Sequence, residues 1–310
     1  VLTFGRAMRE KYGFKVHKLA IDAQFTCPNR DGTKGIGGCT FCNNTSFSPN
    51  ARKPPSVNEQ LEAGRRVIVK RTRATRYLAY FQAYTNTYAD INYLKSLYDN
   101  ALSHPDVIGL SIGTRPDCVP DGVLQLLAQY QEQGYEIWLE LGLQSSFDNT
   151  LKEVNRGHGF AEYQDAIQRA HQYGLQVCTH LIVGLPTESP EDSLTSMSRV
   201  LDTSPEGIKI HPLHVVKGTQ LARQLKTGAY QPITMNDYVD TVVNMVQMAP
   251  GQIVFHRLTG TASDDILLAP AWCNKKWLVL NEVTRKLAER KGFAPEAMSQ
   301  RNNNQLLFQA

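Results

Sequence analysis

Short β-prone runs alternate along the chain with segments of helical period. Lys15–Phe25, Arg76–Tyr84, Val107–Thr114, Glu136–Ser145, Gln176–Gly184 and Gly207–Val216 read as six strands. Helices are predicted between them. Ser56 and Glu59 form a capping box for one ending near Lys70, after a break at Lys53-Pro54-Pro55. Ile91, Leu94, Leu97, Tyr98 and Leu102 mark the next, and Asp121–Gln133 stops at Gly134. A short helix spans Phe147–Val154, and Tyr163, Ala166, Ile167 and Ala170 share the face of another that ends at Gly174. Ser189 and Pro190 start a helix to about Leu201. Beyond the sixth strand, Thr219–Lys226, Thr234–Met248 and Lys275–Lys291 read as helices, with Ile253–Leu258 as a seventh strand or extended segment. This tail is expected to cover the bottom or open flank of the fold.

Such alternation predicts a parallel sheet of βαβ units. Side chains along a strand point alternately to its two faces. In the fourth strand Ile137, Leu139, Leu141 and Leu143 share one face, and Trp138, Glu140, Gly142 and Gln144 the other. The fifth sets Gln176, Cys178 and His180 opposite Val177, Leu181 and Val183. The first aligns Lys18, Asp22 and Gln24, and the sixth Lys209 and His211. An open sheet covered by helices on both sides is apolar on both faces. Here one face is polar in strand after strand, which predicts an α/β fold whose strands curve around a polar lumen: a partial (β/α)6 barrel of TIM type. The expected organisation is a core over residues 1–220 and a helical extension over 221–310 packed on it.

The 310 residues carry a net charge of +4, 42% hydrophobic and 20% charged side chains, an ordinary globular composition. No apolar run approaches the ~18–20 residues of a membrane span, and the first twenty residues are too charged for a signal peptide. Six cysteines without framework-like spacing favour a reducing compartment and metal use over disulfides. A cytoplasmic protein without membrane contact is expected.

Three of those cysteines, Cys27, Cys39 and Cys42, fall in the stretch CPNRDGTKGIGGCTFC directly after the first strand. Thiolates gathered by one loop suit an iron–sulfur cluster or zinc. Gly32, Gly35, Gly37 and Gly38 let backbone N–H groups wrap closely around a bulky anion. Three thiolates on a cubane leave one iron without a protein ligand. Pairs of the C-x2-C kind serve zinc equally well, with His17 or a distant cysteine as a fourth ligand, so spacing alone leaves both readings open.

The cysteine loop, the run from Glu140 to Pro186 (ELGLQS…NRGHGFAEYQDAI…HLIVGLP) and IKIHPLHVVKGTQL from Ile208 to Leu221 together resemble the radical S-adenosylmethionine (SAM) superfamily. Within it they resemble the YhcC/YtqA-type subgroup related to the Elongator catalytic subunit. The resemblance implies a [4Fe–4S] cluster on Cys27, Cys39 and Cys42, with SAM chelating the open iron. It also implies an electron donor such as flavodoxin or ferredoxin, reductive cleavage of SAM to a 5′-deoxyadenosyl radical, and Phe41 near the adenine. Glu140, Gln144, Arg156 and His180 fall where relatives contact SAM, Arg156 as a carboxylate clamp. The first cysteine gap is eleven residues where most of the superfamily has three. The usual glycine-rich motif after the second strand is replaced by QAYTNTY, so Tyr84 or Asn86 is the expected contact of the SAM amino group.

Relatives modify the wobble uridine of tRNA, so tRNA is the expected partner. The basic run Arg65, Arg66, Lys70, Arg71, Arg73 and Arg76 is its candidate phosphate surface. A small-molecule or protein-residue substrate is the competing enzymatic reading, and a zinc-stabilised binding protein the non-enzymatic one.

Overall fold

The computed structural model describes residues 1–43 and 55–290; the expected break at Lys53-Pro54 and the end of the last helix at Lys291 lie outside them. Seven parallel strands form one sheet: β1 (Val16–Ile21), β2 (Arg76–Phe81), β3 (Val107–Thr114), β4 (Glu136–Gln144), β5 (Gln176–Val183), β6 (Gly207–Pro212) and β8 (Val254–Arg257), in the order β1-β2-β3-β4-β5-β6-β8. The sheet curls into a half-barrel. Helices α2 (Val57–Thr72), α3 (Ile91–Leu102), α4 (Asp121–Glu132), α5 (Asp148–Glu153), α6 (Phe160–Gln172), α7 (Pro190–Leu201) and α9 (Met235–Met248) connect the strands. The expected start signals are used. Ser56 and Glu59 close a capping box on α2, and Ser189 caps α7 with Pro190 in its first turn. The sixth run is shorter than predicted, because Pro212 has no N–H to extend the ladder. Val215–Val216 forms instead β7, an antiparallel ribbon with β9 (Leu267–Ala269). No helix among the described residues is long and apolar enough to cross a membrane.

The convex face carries the large core, with Leu139, Leu141, Val177 and Ile210 buried under the helices. The concave face is layered. At the N-terminal ends of the strands, Val16, Leu78, Trp138, Cys178 and Val254 form an apolar floor. Closure of that floor falls to α1 (Phe4–Tyr12), which the sequence reading did not predict, rather than to the C-terminal tail. Phe4 and Met8 are its buried residues, and the Phe4 ring meets Trp138 at 6.4 Å and His256 at 4.9 Å. Thr3 caps α1 and Gly13 ends it at φ +78°. In the tail, α8 (Gln220–Thr227) packs beside β7, and α10 (Lys276–Arg290) packs along α9.

Candidate functional site: a cysteine loop over a cationic cavity

A cavity of about 250 Å³ opens at the C-terminal ends of the strands, roofed by the cysteine loop. Cys27, Cys39 and Cys42 line it together with Phe41, Tyr84, Gln144, Arg156 and His180. Glu140 does not line it. Asn86 is also absent from the lining; it is buried and donates to the Gly113 carbonyl at 2.7 Å. Tyr84 and Gln144 hold positive φ, 65° and 83°, at the cavity wall. That backbone region is sparsely populated by residues other than glycine and is often found at functional sites.

The turn after α5 grips the loop. Asn155 donates to the Gly38 carbonyl at 2.8 Å and accepts a short hydrogen bond from Asn29. Thr40 N–H donates to the Val154 carbonyl at 3.0 Å. Asn155 and Gly157 both have positive φ, and a Cβ on Gly157 would fall 2.4 Å from Asn29 Oδ1, so no larger residue fits there. The intervening Arg156 reaches back under the loop: Nη1 lies 3.5 Å from Cys39 Sγ, and Nη2 donates to the Gly142 carbonyl at 2.6 Å. A Cβ on Gly142 would stand 2.8 Å from Arg156 Nη2 and 2.9 Å from Gln144 Nε2, so a side chain there would displace both groups from their present positions. Arg115, only 2% exposed, bonds the Arg156 carbonyl at 2.7 Å and lies 4.0 Å from Cys27 Sγ. Its partner is Asp117 at 2.8 Å. Burial works against a charge on Asp117, but the Arg115 guanidinium overrides it and holds the carboxyl at about 2.

Sequence reasoning found Arg156 and missed Asn155, Gly157, Arg115 and Asn29. The pair Asn155 and Gly157 was readable as a turn, since Asn and Gly are the residues that tolerate positive φ. Nothing local marked Arg115.

These residues fit a thiolate-held anionic cluster. Guanidinium or amide N–H groups approach all three sulfurs, Arg30 being the one at Cys42, and Arg156 Nε is buried without a partner among the described residues. Tetrahedral zinc, with Zn–S bonds of about 2.3 Å, needs sulfurs about 3.8 Å apart. Among the described residues, the only three Cys, His or acidic side chains with ligand atoms all within 4.8 Å are Glu140, Cys178 and His180. The three loop thiols do not all fall within that distance of one another. His17 is no fourth ligand: it sits on β1 opposite Tyr77, where Lys276 and Arg71 add to the depression of its pKa caused chiefly by burial.

One layer below the cavity, Glu140 is fully buried and both its oxygens are taken. Lys18 and Ser111 donate to Oε1, while Lys209 at 2.9 Å and His180 Nε2 at 2.6 Å reach Oε2. Burial alone would raise this carboxyl, but the two ammonium groups hold it well below the ordinary range. Two lysines on Glu140 also exclude a cation from the Glu140–Cys178–His180 trio.

Burial keeps the nearby histidines neutral. His180 and His214 are lowered to about 4, and His158 and His256 to about 3. All four depressed values lie below the ~6.5 of an unfolded chain. The unfolded state therefore binds more protons below pH 6.5, so the stability they contribute is present above that pH and is lost as pH falls toward 4. We expect unfolding free energy to drop between pH 6.5 and 5, by at most about 1.4 kcal/mol per pH unit for each histidine. Denaturant titrations that stay flat across this window would show these rings to be solvated.

The basic run expected to lead tRNA to the cavity does not. Helix α2 descends from Val57 to Thr72 at the start of β2, where Lys15 bonds the Thr72 carbonyl at 2.9 Å. Lys70, Arg71 and Arg73 therefore lie at the N-terminal end of the barrel, opposite the cavity mouth. Arg65 and Arg76 are paired with Asp106, at 3.8 and 3.3 Å.

A radical SAM superfamily model matches residues 27–199, and a radical SAM C-terminal domain model matches 205–289. YhcC of Escherichia coli is 49% identical over 286 residues, covering 92% of both chains. A tRNA uridine(34) acetyltransferase of Dehalococcoides mccartyi is 30% identical over 154 residues, 49% of this chain and 33% of that one. In fold, the chain is similar to an archaeal Elp3 from Methanocaldococcus infernus, with a TM-score of 0.63 at 20% identity over 90% of this chain and 64% of that one. With the three-cysteine loop over a half-barrel cavity and a family match across more than half its length, the chain belongs to the radical SAM superfamily.

Proposed function

We propose that this protein binds a [4Fe–4S] cluster on Cys27, Cys39 and Cys42, cleaves SAM reductively there, and modifies a uridine of tRNA. One observation carries the reading: three thiols of one loop open on the same cavity as Arg156 and Gln144. Bound in that cavity and reduced by a donor such as flavodoxin or ferredoxin, the cluster and SAM would supply a 5′-deoxyadenosyl radical for hydrogen abstraction. The chain's own part is placement and exclusion of water. Arg156 keeps donors beyond those spent on Cys39 and Gly142, enough to orient a carboxylate. Phe41, on the apolar patch with Leu213 and Val215, offers a face for an adenine. Tyr84 and Gln144 stand on the wall as polar contacts, and His180 is held by Glu140 in one orientation. We expect Arg156→Ala and Gln144→Ala to keep the cluster and weaken SAM binding by about 1–3 kcal/mol each. Unchanged affinity in both, measured by anaerobic dialysis, would mean that SAM lies elsewhere.

The tRNA part rests on the resemblance to Elongator-type proteins and on the relative named as a tRNA uridine(34) acetyltransferase. Its phosphate contacts must come from the cavity end of the barrel. Arg30 and Arg223 line a second cleft on the outer side of the cysteine loop and are the candidates. The test is anaerobic reconstitution with SAM and dithionite, reading 5′-deoxyadenosine, followed by tRNA nucleosides from cells with and without the protein. No 5′-deoxyadenosine would sink the chemistry; unchanged nucleosides would move the substrate to a small molecule or protein residue. Charge reversal at Arg223 should lower the salt dependence of tRNA binding, and reversal at Arg71 should leave it unaltered.

A further inference from the structure

The lining of the cavity contains five cationic side chains, Arg30, Arg115, Arg156, Lys209 and Arg257, and no carboxylate. Four of the five are engaged. Arg30 donates to the Cys42 carbonyl, Arg115 pairs with Asp117, Arg156 reaches Cys39, and Lys209 is held by Glu140 and the Tyr80 hydroxyl. Arg257 makes no ion pair or hydrogen bond among the described residues. It ends β8 opposite Lys209, and it also borders a small recess with Lys276 that again holds no carboxylate. A half-buried guanidinium with no carboxylate beside it keeps its fork of donors open to an anionic ligand.

Its surroundings are shaped for one. His211 and His214 line the same end of the cavity, and His214 Nε2 is buried without a partner among the described residues. Gly260 clears the space: a Cβ there would fall 2.7 Å from His211 Nδ1. Burial and the nearby Arg257 charge keep both histidines neutral, so each offers a hydrogen bond without adding a second charge.

We propose that Arg257, flanked by His211 and His214, is an oxyanion subsite that holds a carboxylate or phosphate group of the substrate at the β6–β8 end of the cavity. The guanidinium suits either group, because both present two oxygens to its fork. The substrate is then an anionic molecule, or an anionic part of a larger one, approaching from the side of the cavity away from Cys27. This deepens the proposed function, resting on it only for the identity of the cavity as the reaction site.

Two measurements on the anaerobically reconstituted protein test it. The first is phenylglyoxal labelling mapped by peptide mass. Arg257 should react faster than Arg115, and inorganic phosphate or malonate should protect it beyond chloride at equal ionic strength. Protection by phosphate alone assigns a phosphate-bearing substrate, and by malonate alone a carboxylate-bearing one; protection by neither overturns the proposal. The second is equilibrium dialysis of the protecting anion, in radiolabelled form. Arg257→Gln should weaken its binding at least about tenfold, and Arg257→Lys should weaken it less. Equal binding in wild type and Arg257→Gln overturns the subsite, as does a loss of SAM affinity in Arg257→Gln matching that of Arg156→Ala, which would place Arg257 on SAM. Should Arg257→Gln fail to fold, the labelling of the wild type still decides. Formation of 5′-deoxyadenosine is read separately on the same preparation, so a failure of the radical chemistry is distinct from a failure of the anion site.

Discussion

Replacing Cys27, Cys39 or Cys42 with alanine is expected to abolish the brown chromophore of the anaerobically reconstituted protein, with iron and acid-labile sulfide falling together. Cys118, Cys178 and Cys273 should be replaceable without that loss. The loop thiols line one cavity beside the guanidinium groups of Arg30, Arg115 and Arg156. The other three are buried. Burial lifts Cys118 and Cys273 to about 12 and Cys178 well above the ordinary thiol range, and none of the three lines the cavity under the loop. Cys178 belongs to the apolar floor with Trp138, far from the loop in the layer order of the barrel. Loss of the chromophore in any variant of these three, or stoichiometric zinc without sulfide in the wild type, would overturn the cluster assignment.

A second readout separates cluster loss from misfolding. The loop is tied to the barrel by backbone bonds of Thr40 to Val154 and Leu221, independently of the thiols. The cysteine variants should therefore unfold in denaturant with the cooperativity of the apoprotein. A variant that loses both the cluster and the cooperative transition would say nothing of ligation, and Cys→Ser at the same position then replaces it.

The strands were legible because alternation along them is regular, and the helix limits because Ser56, Ser189 and Thr234 are strong caps. Helix α1 was not, since Phe4 and Met8 are its only buried residues and one i, i+4 pair is a faint stripe. What sequence cannot resolve is depth along a face. Trp138, Glu140 and Gly142 point the same way on β4, each about 7 Å from the next. Yet the first is floor, the second an ion-pair centre and the third cavity wall. A polar residue on the lumen face reads alike in either of the last two layers. The same blindness explains the basic run. Arg65–Arg76 is conspicuous in sequence, but which end of a barrel a helix terminus reaches follows only from the βαβ connection. Arg257 was invisible for the opposite reason: its meaning lies in carboxylates that are absent around it, a property of the fold and not of the segment.

Glu140→Gln is expected to destabilise the protein by about 3–5 kcal/mol at neutral pH, the loss typical when one partner of a buried ion pair is removed. The side chain has no exposure, and the amide that replaces it leaves the Lys18 and Lys209 ammonium groups without a counter-charge. The lost charge also has a pH signature. Burial depresses Lys209 to about 8 even with Glu140 opposing the shift. Without Glu140 its folded-state pKa falls further below the unfolded value of about 10.4. A depressed lysine means that the unfolded state binds the extra proton, so stability rises with pH from the folded pKa upward. In wild type that rise begins near pH 8; in Glu140→Gln it begins lower. The deficit of the variant should therefore shrink as pH climbs from 7 to 8, while Lys209 sheds its proton in the folded state. Adding Lys209→Met should recover part of the loss, because the double variant no longer buries that ammonium. A deficit under about 0.5 kcal/mol, the scale of an ordinary surface change, would show that Glu140 is solvated. A deficit that grows toward pH 8 would show that Lys209 is not the group left uncompensated.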